Sequence, residues 1–465
     1  MTITELQQQY AAHPNMAVMK RLLKDTSVQT VFCGGLCASA ASLFSSVLVQ
    51  EGGCPFVFIL GDLEEAGYFY HDLTQILGTE RVLFFPSSFR RSIKYGQKDA
   101  ANEILRTEVL SRLQKGEEGL CIVTYPDALA EKVVSRKELS NKTLKLNVGE
   151  KVDTTFITDV LHSYGFEYVD YVYEPGQYAV RGSIIDVFSF ASEYPYRIDF
   201  FGDEVESVRT FEVESQLSRE KKDGVSIVPD LAVTGDVTTS FLDFIPKETT
   251  LAMRDFLWLR ERIQVVHDEA LTPQAIAVQE AEENGGITLE GKLIDGSEFT
   301  VRALDFRRLE FGNKPTGTPN ASVTFNTSAQ PIFHKNFDLV ASSFKDYLEK
   351  GYSLYICSDS MKQTDRIKAI FEDRGDKINF TPVERTIHEG FVDNTLRLCI
   401  FTDHQLFDRF HKYNLKSDKA FGKSGTVLER TESVHSGRLC GAYGSWYRTF
   451  SGLVRIPNGD TTQEV

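Results

Sequence analysis

Short continuous apolar runs punctuate the first 125 positions: Thr30 to Phe32, Phe56 to Leu60, Arg81 to Phe85 and Leu120 to Tyr125. Between them lie stretches with helical spacing: a small-residue turn and helix after Phe32, a helix through Leu73, and a helix from Ala100 to Leu113. Strands apolar on both faces and separated by helices predict a parallel sheet covered on both sides, hence an α/β domain.

After Pro126 the pattern changes. A helix is expected near Thr154 to Tyr164, followed by three closely spaced strands, Tyr178 to Phe188, Tyr196 to Phe201 and Glu204 to Phe211. The link Gly202-Asp203 is a two-residue hairpin signal, so the strands read as an antiparallel meander. Alternation puts Tyr196, Ile198 and Phe200 on one face and Arg197, Asp199 and Phe201 on the other, where an apolar Phe201 among charges marks a candidate contact surface. Residues from about 217 to 330 mix short strands such as Leu251 to Arg254 with a Gln- and Glu-rich helical stretch, Pro273 to Asn284, and read as a continuation of the first domain. A further α/β unit follows at roughly 333 to 412, with strands Ser353 to Cys357 and Leu396 to Phe401 around a helix from Lys362 to Glu372. No internal repeat is visible.

A chain of 465 residues exceeds one compact core and predicts several domains. With 42% hydrophobic residues it has the apolar content to fold throughout. The formal net charge of −15 argues against gripping phosphates as the primary task, because non-specific nucleic-acid affinity comes from Lys and Arg. A protein partner fits better, with any DNA contact weak. The seven cysteines fall mostly in apolar runs and form no Cys-x-x-Cys pair, which fits buried thiols in a reducing compartment better than a metal site. Neither an apolar signal core nor a long apolar span occurs, so no membrane partner is expected and the cytoplasm is the expected location.

Specific chemistry enters with the run Tyr173-Glu174-Pro175-Gly176-Gln177-Tyr178-Ala179-Val180-Arg181-Gly182-Ser183-Ile184-Ile185-Asp186-Val187-Phe188, and with Pro195-Tyr196-Arg197-Ile198-Asp199-Phe200-Phe201-Gly202-Asp203-Glu204-Val205-Glu206-Ser207-Val208-Arg209 after it. These residues closely resemble the UvrA-binding domain shared by UvrB and the transcription-repair coupling factors, in the coupling-factor version. Weaker similarity runs through Phe84-Phe85-Pro86 and Glu389-Gly390-Phe391, so the resemblance covers about residues 15 to 412. It implies that UvrA is the partner and that Arg181, Arg197 and Phe201 contact it. The residues support this on their own terms, since guanidiniums form bidentate bonds to carboxylates and an exposed aromatic supplies an anchor. A plainer reading has the two arginines merely pairing with nearby Asp199, Asp203 or Glu206 at the surface.

UvrB carries a phosphate-binding loop in its first domain. A working loop reads Gly-x-x-x-x-Gly-Lys-Ser/Thr, in which backbone amides cradle the phosphates and the lysine neutralises them. The corresponding segment here is degenerate: Gly34 and Gly35 stand at its start and Ala40, Ala41 and Ser42 at its end, without the second glycine or the lysine. The acidic run Asp62-Leu63-Glu64-Glu65 then reads as the first turn of a helix. No catalytic residue and no metal ligand is expected, and His404 and His411 sit too far apart for one helical face to present them as a metal pair. No cofactor is expected for this segment; ATP and magnesium belong to the motor domains of the full-length family, as does binding of RNA polymerase.

The expected organisation is therefore multi-domain α/β. Residues 1–125 form the first part of a UvrB-like α/β domain, 126–216 an inserted α+β UvrA-binding domain, 217–332 the second part of the UvrB-like domain, 333–412 a small α/β domain, and 413–465 a linker with an incomplete start of the polymerase-interacting domain. In that last stretch one choice of codons for Arg438 to Arg448, read one base later, yields the pattern with which the family's polymerase-interacting domain begins. Compensating frameshifts bounding roughly Gly422 to Thr449 would explain it, as would a divergent linker. The expected function is recruitment of UvrA without catalysis. The alternative is a UvrB-like, ATP-dependent, damage-verifying helicase subunit.

Overall fold

The computed structural model describes residues 1–51, 53–88, 100–231, 238–272, 291–411 and 413, with four short strands between 439 and 464. It divides into two units, residues 1–418 and 419–465.

The first unit is built around a seven-stranded sheet whose strands run in the order Ala321–Thr324, Thr30–Gly34, Arg307–Gly312, Thr250–Met253, Phe56–Ile59, Cys121–Thr124 and Val82–Phe85. Every pairing in it is parallel. The apolar runs thus become central strands, with Phe56, Phe58, Phe84 and Phe85 fully buried, as strands covered on both faces require. The expected α/β class is what the structure has. Asp62 caps the helix Leu63–Leu77 by accepting from the Glu65 amide, and Glu64 and Glu65 lie in its first turn, where acids complement the helix dipole.

Two short N-terminal helices were not evident from periodicity. Ile3–Ala11 begins with a capping box in which Thr2 and Glu5 exchange bonds, and Pro14–Lys24 starts with proline at a position that needs no amide donor. Both bury apolar residues in the main core. Phe256–Ala270, capped by Asp255, is a further helix beyond the sequence reading. The Gln- and Glu-rich stretch Pro273 to Asn284 lies outside the described residues.

Between the Cys121–Thr124 and Thr250–Met253 strands the chain leaves the large sheet and builds a six-stranded one, in the order Ser218–Lys222, Glu204–Phe211, Tyr196–Phe201, Ile184–Val187, Gln177–Arg181 and Glu167–Tyr168. Here the expected strand Tyr178 to Phe188 is corrected: it is a hairpin, Gln177–Arg181 against Ile184–Val187. Gly182, at φ 63°, provides the turn, a conformation glycine adopts without the steric cost of a Cβ. The third sheet, Thr327–Ala329, Phe391–Asp393, Leu398–Thr402, Ser353–Ser358 and Thr381–Glu384, forms a smaller α/β body with its own aromatic core.

In the second unit Leu439–Ala442 pairs antiparallel with Trp446–Thr449, and Arg455–Asn458 with Thr461–Glu464. The remainder of the stretch Gly422 to Thr449, where the codon argument applies, lies outside the described residues.

Candidate partner-docking face and the degenerate loop

The six-stranded sheet has two unlike faces. Ile185, Val187, Ile198, Phe200, Val205 and Val208 point inward and pack with Ile157 and Leu161 of the helix Thr154–Ser163. Val205 and Val208 are three positions apart, which simple alternation cannot place on one face. A register shift between Asp199 and Phe200 pairs Asp199 with Ser207 and Phe200 with Val205, so the extra residue Glu206 is absorbed in a bulge and both valines stay inside.

The opposite face carries the candidate residues. Cross-strand register lines up Ala179, Asp186, Arg197 and Arg209 in one row, and Arg181, Ile184, Asp199 and Ser207 in the next. Phe201 continues the Arg197–Asp199 alternation to the hairpin end beside Gly202 and stands 80% exposed. Arg181, Arg197 and Phe201 therefore share one face.

Their environments differ. Arg197 binds Asp186 with both ends of its fork, Nε to Oδ1 at 2.8 Å and Nη2 to Oδ2 at 2.9 Å, and its Nη1 donates to the Gln216 carbonyl. Its guanidinium carbon lies 4.5 Å from the centroid of the Phe211 ring, and its side chain is 14% exposed. The hydrogen bonds it donates to Asp186 hold the guanidinium pKa above its ordinary value against the opposing effect of burial. Arg181 donates to the same Asp186 Oδ2, lies over the Tyr171 ring and remains 36% exposed. The Asp186 side chain is completely enclosed. The surface pairing considered from sequence, with Asp199, Asp203 or Glu206, is corrected: both arginines pair with Asp186, while Asp199 accepts from Arg209 and Ser207. Asp186 was missed because its nearness to Arg181 depends on the Gly182 turn. The sequence signal was a lone carboxylate inside Ile184-Ile185-Asp186-Val187-Phe188.

The degenerate loop keeps strand–turn–helix geometry, from Gly34 at the end of its strand to the helix Ala40–Glu51. Gly35 is required for packing: a Cβ on it would stand 2.0 Å from the Phe325 carbonyl oxygen. Three of the loop amides are already used. Cys37 donates to Thr327 Oγ1, Ser39 to the Glu389 carbonyl and Ala40 to the Cys37 carbonyl. In return the Glu389 amide donates to Ser39 Oγ at 3.0 Å, and the His388 amide to buried Asp72 at 2.7 Å. Burial raises the Asp72 pKa to about 6 despite hydrogen bonds from Ser39, the His388 amide and Ser42. A cavity of about 600 Å³ opens beside the loop, with Asp62, Glu64, Glu65 and Glu389 in its lining and with Arg254 bonded to Glu65. These residues do not fit a triphosphate: three of the amides that would cradle it are taken, Ala41 offers no cation, and the lining is acidic.

Four histidines meet where the small α/β body touches the helix Leu63–Leu77. His404 and His411, which the sequence reading set too far apart to act as a pair, stack at 4.5 Å between ring centroids. His71 lies 5.1 Å from His411, and His388 stacks on Tyr68 at 3.5 Å. Burial lowers all four pKa values, those of His71 and His388 to about 4. Among the described residues no group of three or more His, Cys, Asp or Glu side chains is placed to hold a metal ion, and no described helix is long and apolar enough to cross a membrane.

Comparison with known proteins locates the first of these sites in a recognised unit. Residues 144–232, which contain the whole outer face described above, match the family described as UvrB interaction domain. The chain is similar to the transcription-repair-coupling factor of Bacillus subtilis, 32% identical over 196 residues that make up 42% of this chain and 16% of that protein. The Escherichia coli protein of the same description is 29% identical over 194 residues, 41% of this chain and 16% of the relative. A Staphylococcus aureus transcription-repair-coupling factor is 20% identical over 467 residues, covering 84% of this chain and 39% of the relative. The matched segments thus span well under half of each relative's length.

Proposed function

We propose, starting from a chain that carries a UvrB interaction domain and resembles the N-terminal region of transcription-repair-coupling factors, that its task is to recruit UvrA in transcription-coupled nucleotide-excision repair. The observation that carries this reading is Phe201, a large aromatic exposed at a hairpin end on the same sheet face as two arginines. An aromatic beside a guanidinium is the composition of an interface hot spot, and a partner with an apolar pocket rimmed by carboxylates would complement it. Calorimetric titration of the chain with purified UvrA tests the reading. Saturable binding is expected; no heat change, together with no co-elution on gel filtration, would refute it.

In this reading the segment hydrolyses no ATP. Support comes from the loop at Gly35 to Ser42, whose Cys37, Ser39 and Ala40 amides are bonded within the protein, and from the acids around the adjoining cavity. RNA-polymerase binding and DNA translocation are assigned to other parts of the full-length relatives. Any DNA contact by this segment is weak, given the net charge of −15.

A further inference from the structure

We propose that Asp186 is the positioning residue of the docking face: a buried carboxylate that fixes the two arginines in the conformations a partner meets. The inference rests on the UvrA-recruitment reading and extends it to a residue that touches no partner. Three observations bear on it. Asp186 is the charged residue of an otherwise apolar strand, with its side chain wholly enclosed. Both of its oxygens are engaged, Oδ1 by Arg197 Nε and Oδ2 by Arg197 Nη2 and Arg181 Nη2, so one carboxylate sets the orientation of two guanidiniums. Arg197 is further held over Phe211 with Nη1 on the Gln216 carbonyl, which leaves Arg181, resting on Tyr171, as the more exposed of the two. An arginine side chain otherwise samples many rotamers, and ordering it at the moment of binding weakens the complex.

Charge alone predicts the opposite sign. Neutralising Asp186 makes this face more positive, and if the carboxylate contributed only its charge, a partner rimmed by acids would bind more tightly and associate faster. If it positions the arginines, binding weakens. Asp186→Asn, which keeps the shape and removes the charge, separates the two.

The experiment is calorimetric titration of purified UvrA with the full chain as wild type, Asp186→Asn, Arg181→Ala, Phe201→Ala and the two doubles that pair Asp186→Asn with each, after thermal melts confirm folding. The expected result is a Kd raised about 10-fold or more by Asp186→Asn. The loss should shrink at least about three-fold in the Arg181→Ala background and persist in full in the Phe201→Ala background, a pattern that a general weakening of the domain would not give. Should Asp186→Asn fail to fold, Arg197→Lys, which keeps the charge but cannot make the two-pronged bond, is expected to weaken binding by a similar factor. Unchanged or tighter binding by the folded variant, with Phe201→Ala still weakening it, would overturn this proposal alone. Absence of wild-type binding would overturn the recruitment reading and this one with it.

Discussion

Truncating Phe201 is the most direct test of the docking face, because the structure separates its effect on binding from any effect on folding. Its ring is 80% exposed and belongs to none of the buried clusters, so Phe201→Ala leaves no cavity behind. The melting transition should stay within the range of ordinary surface substitutions, about ±0.5 kcal/mol. Binding is different. An aromatic of this size contributes about 150–250 Å² when covered, so covering four-fifths of it removes roughly 160 Å² from water. At about 25 cal/mol per Å² this corresponds to about 4 kcal/mol, of which alanine would keep roughly a third. A loss of about 2–3 kcal/mol is expected, a Kd for UvrA raised about 30- to 150-fold. Calorimetry on the purified pair measures it. A Kd within about two-fold of wild type would refute the assignment of Phe201 as the anchor, and a large fall in melting temperature would show that its side chain supports the fold.

Other substitutions probe other parts of the molecule. Arg197→Ala should destabilise the inserted domain by about 2–3 kcal/mol in urea unfolding, because enclosed Asp186 loses its two-pronged partner and keeps only Arg181; an unchanged midpoint would mean Asp186 is satisfied without it. Restoring the consensus with Ala40→Gly and Ala41→Lys should not create nucleotide binding, since the Cys37 and Ser39 amides stay bonded to Thr327 and Glu389; millimolar or tighter binding of a fluorescent ATP analogue would contradict this. Acidification should destabilise the contact between the small α/β body and the helix Leu63–Leu77. His71 and His388, held neutral with pKa values near 4, stabilise fully above pH 6.5 and lose that contribution as the pH falls toward 4, and His404 and His411 act in the same direction. Asp72, raised to about 6, opposes them because its ionisation cost is relieved over the same range. The two histidines outweigh it by about one proton near pH 5, so stability should fall by about 1 kcal/mol per pH unit after allowing for screening at half-exposed His388. His71→Gln should flatten that slope in melts between pH 7 and 5, and an unaltered slope would show that the cluster is not its source.

Much of this architecture could be read from residue order, and the misses have physical causes. Parallel strands declare themselves as apolar runs, and the alternation from Tyr196 to Phe201 places Phe201 outside without any tertiary information. The run Tyr178 to Phe188 reads as one strand because its turn consists of Gly182 and Ser183 alone, with apolar residues resuming at once. That hidden turn conceals the neighbourhood of Asp186 and Arg181, and with it the difference between an enclosed arginine and an exposed one. The missing lysine of the phosphate loop is visible in the sequence. The partners of the loop are not, because Thr327 and Glu389 arrive from about 290 and 350 positions away. The full histidine cluster is beyond reach for the same reason, since His71 comes from more than 300 positions before His388, His404 and His411.

The docking sheet is an insertion, entered from Cys121–Thr124 and left into Thr250–Met253, two strands of the large sheet separated only by Phe56–Ile59. It hangs from two covalent cords rather than one. Under the recruitment proposal, a pull exerted by a bound partner would be divided between both cords and delivered to two strands of one parallel sheet, so that no single tether would carry the load.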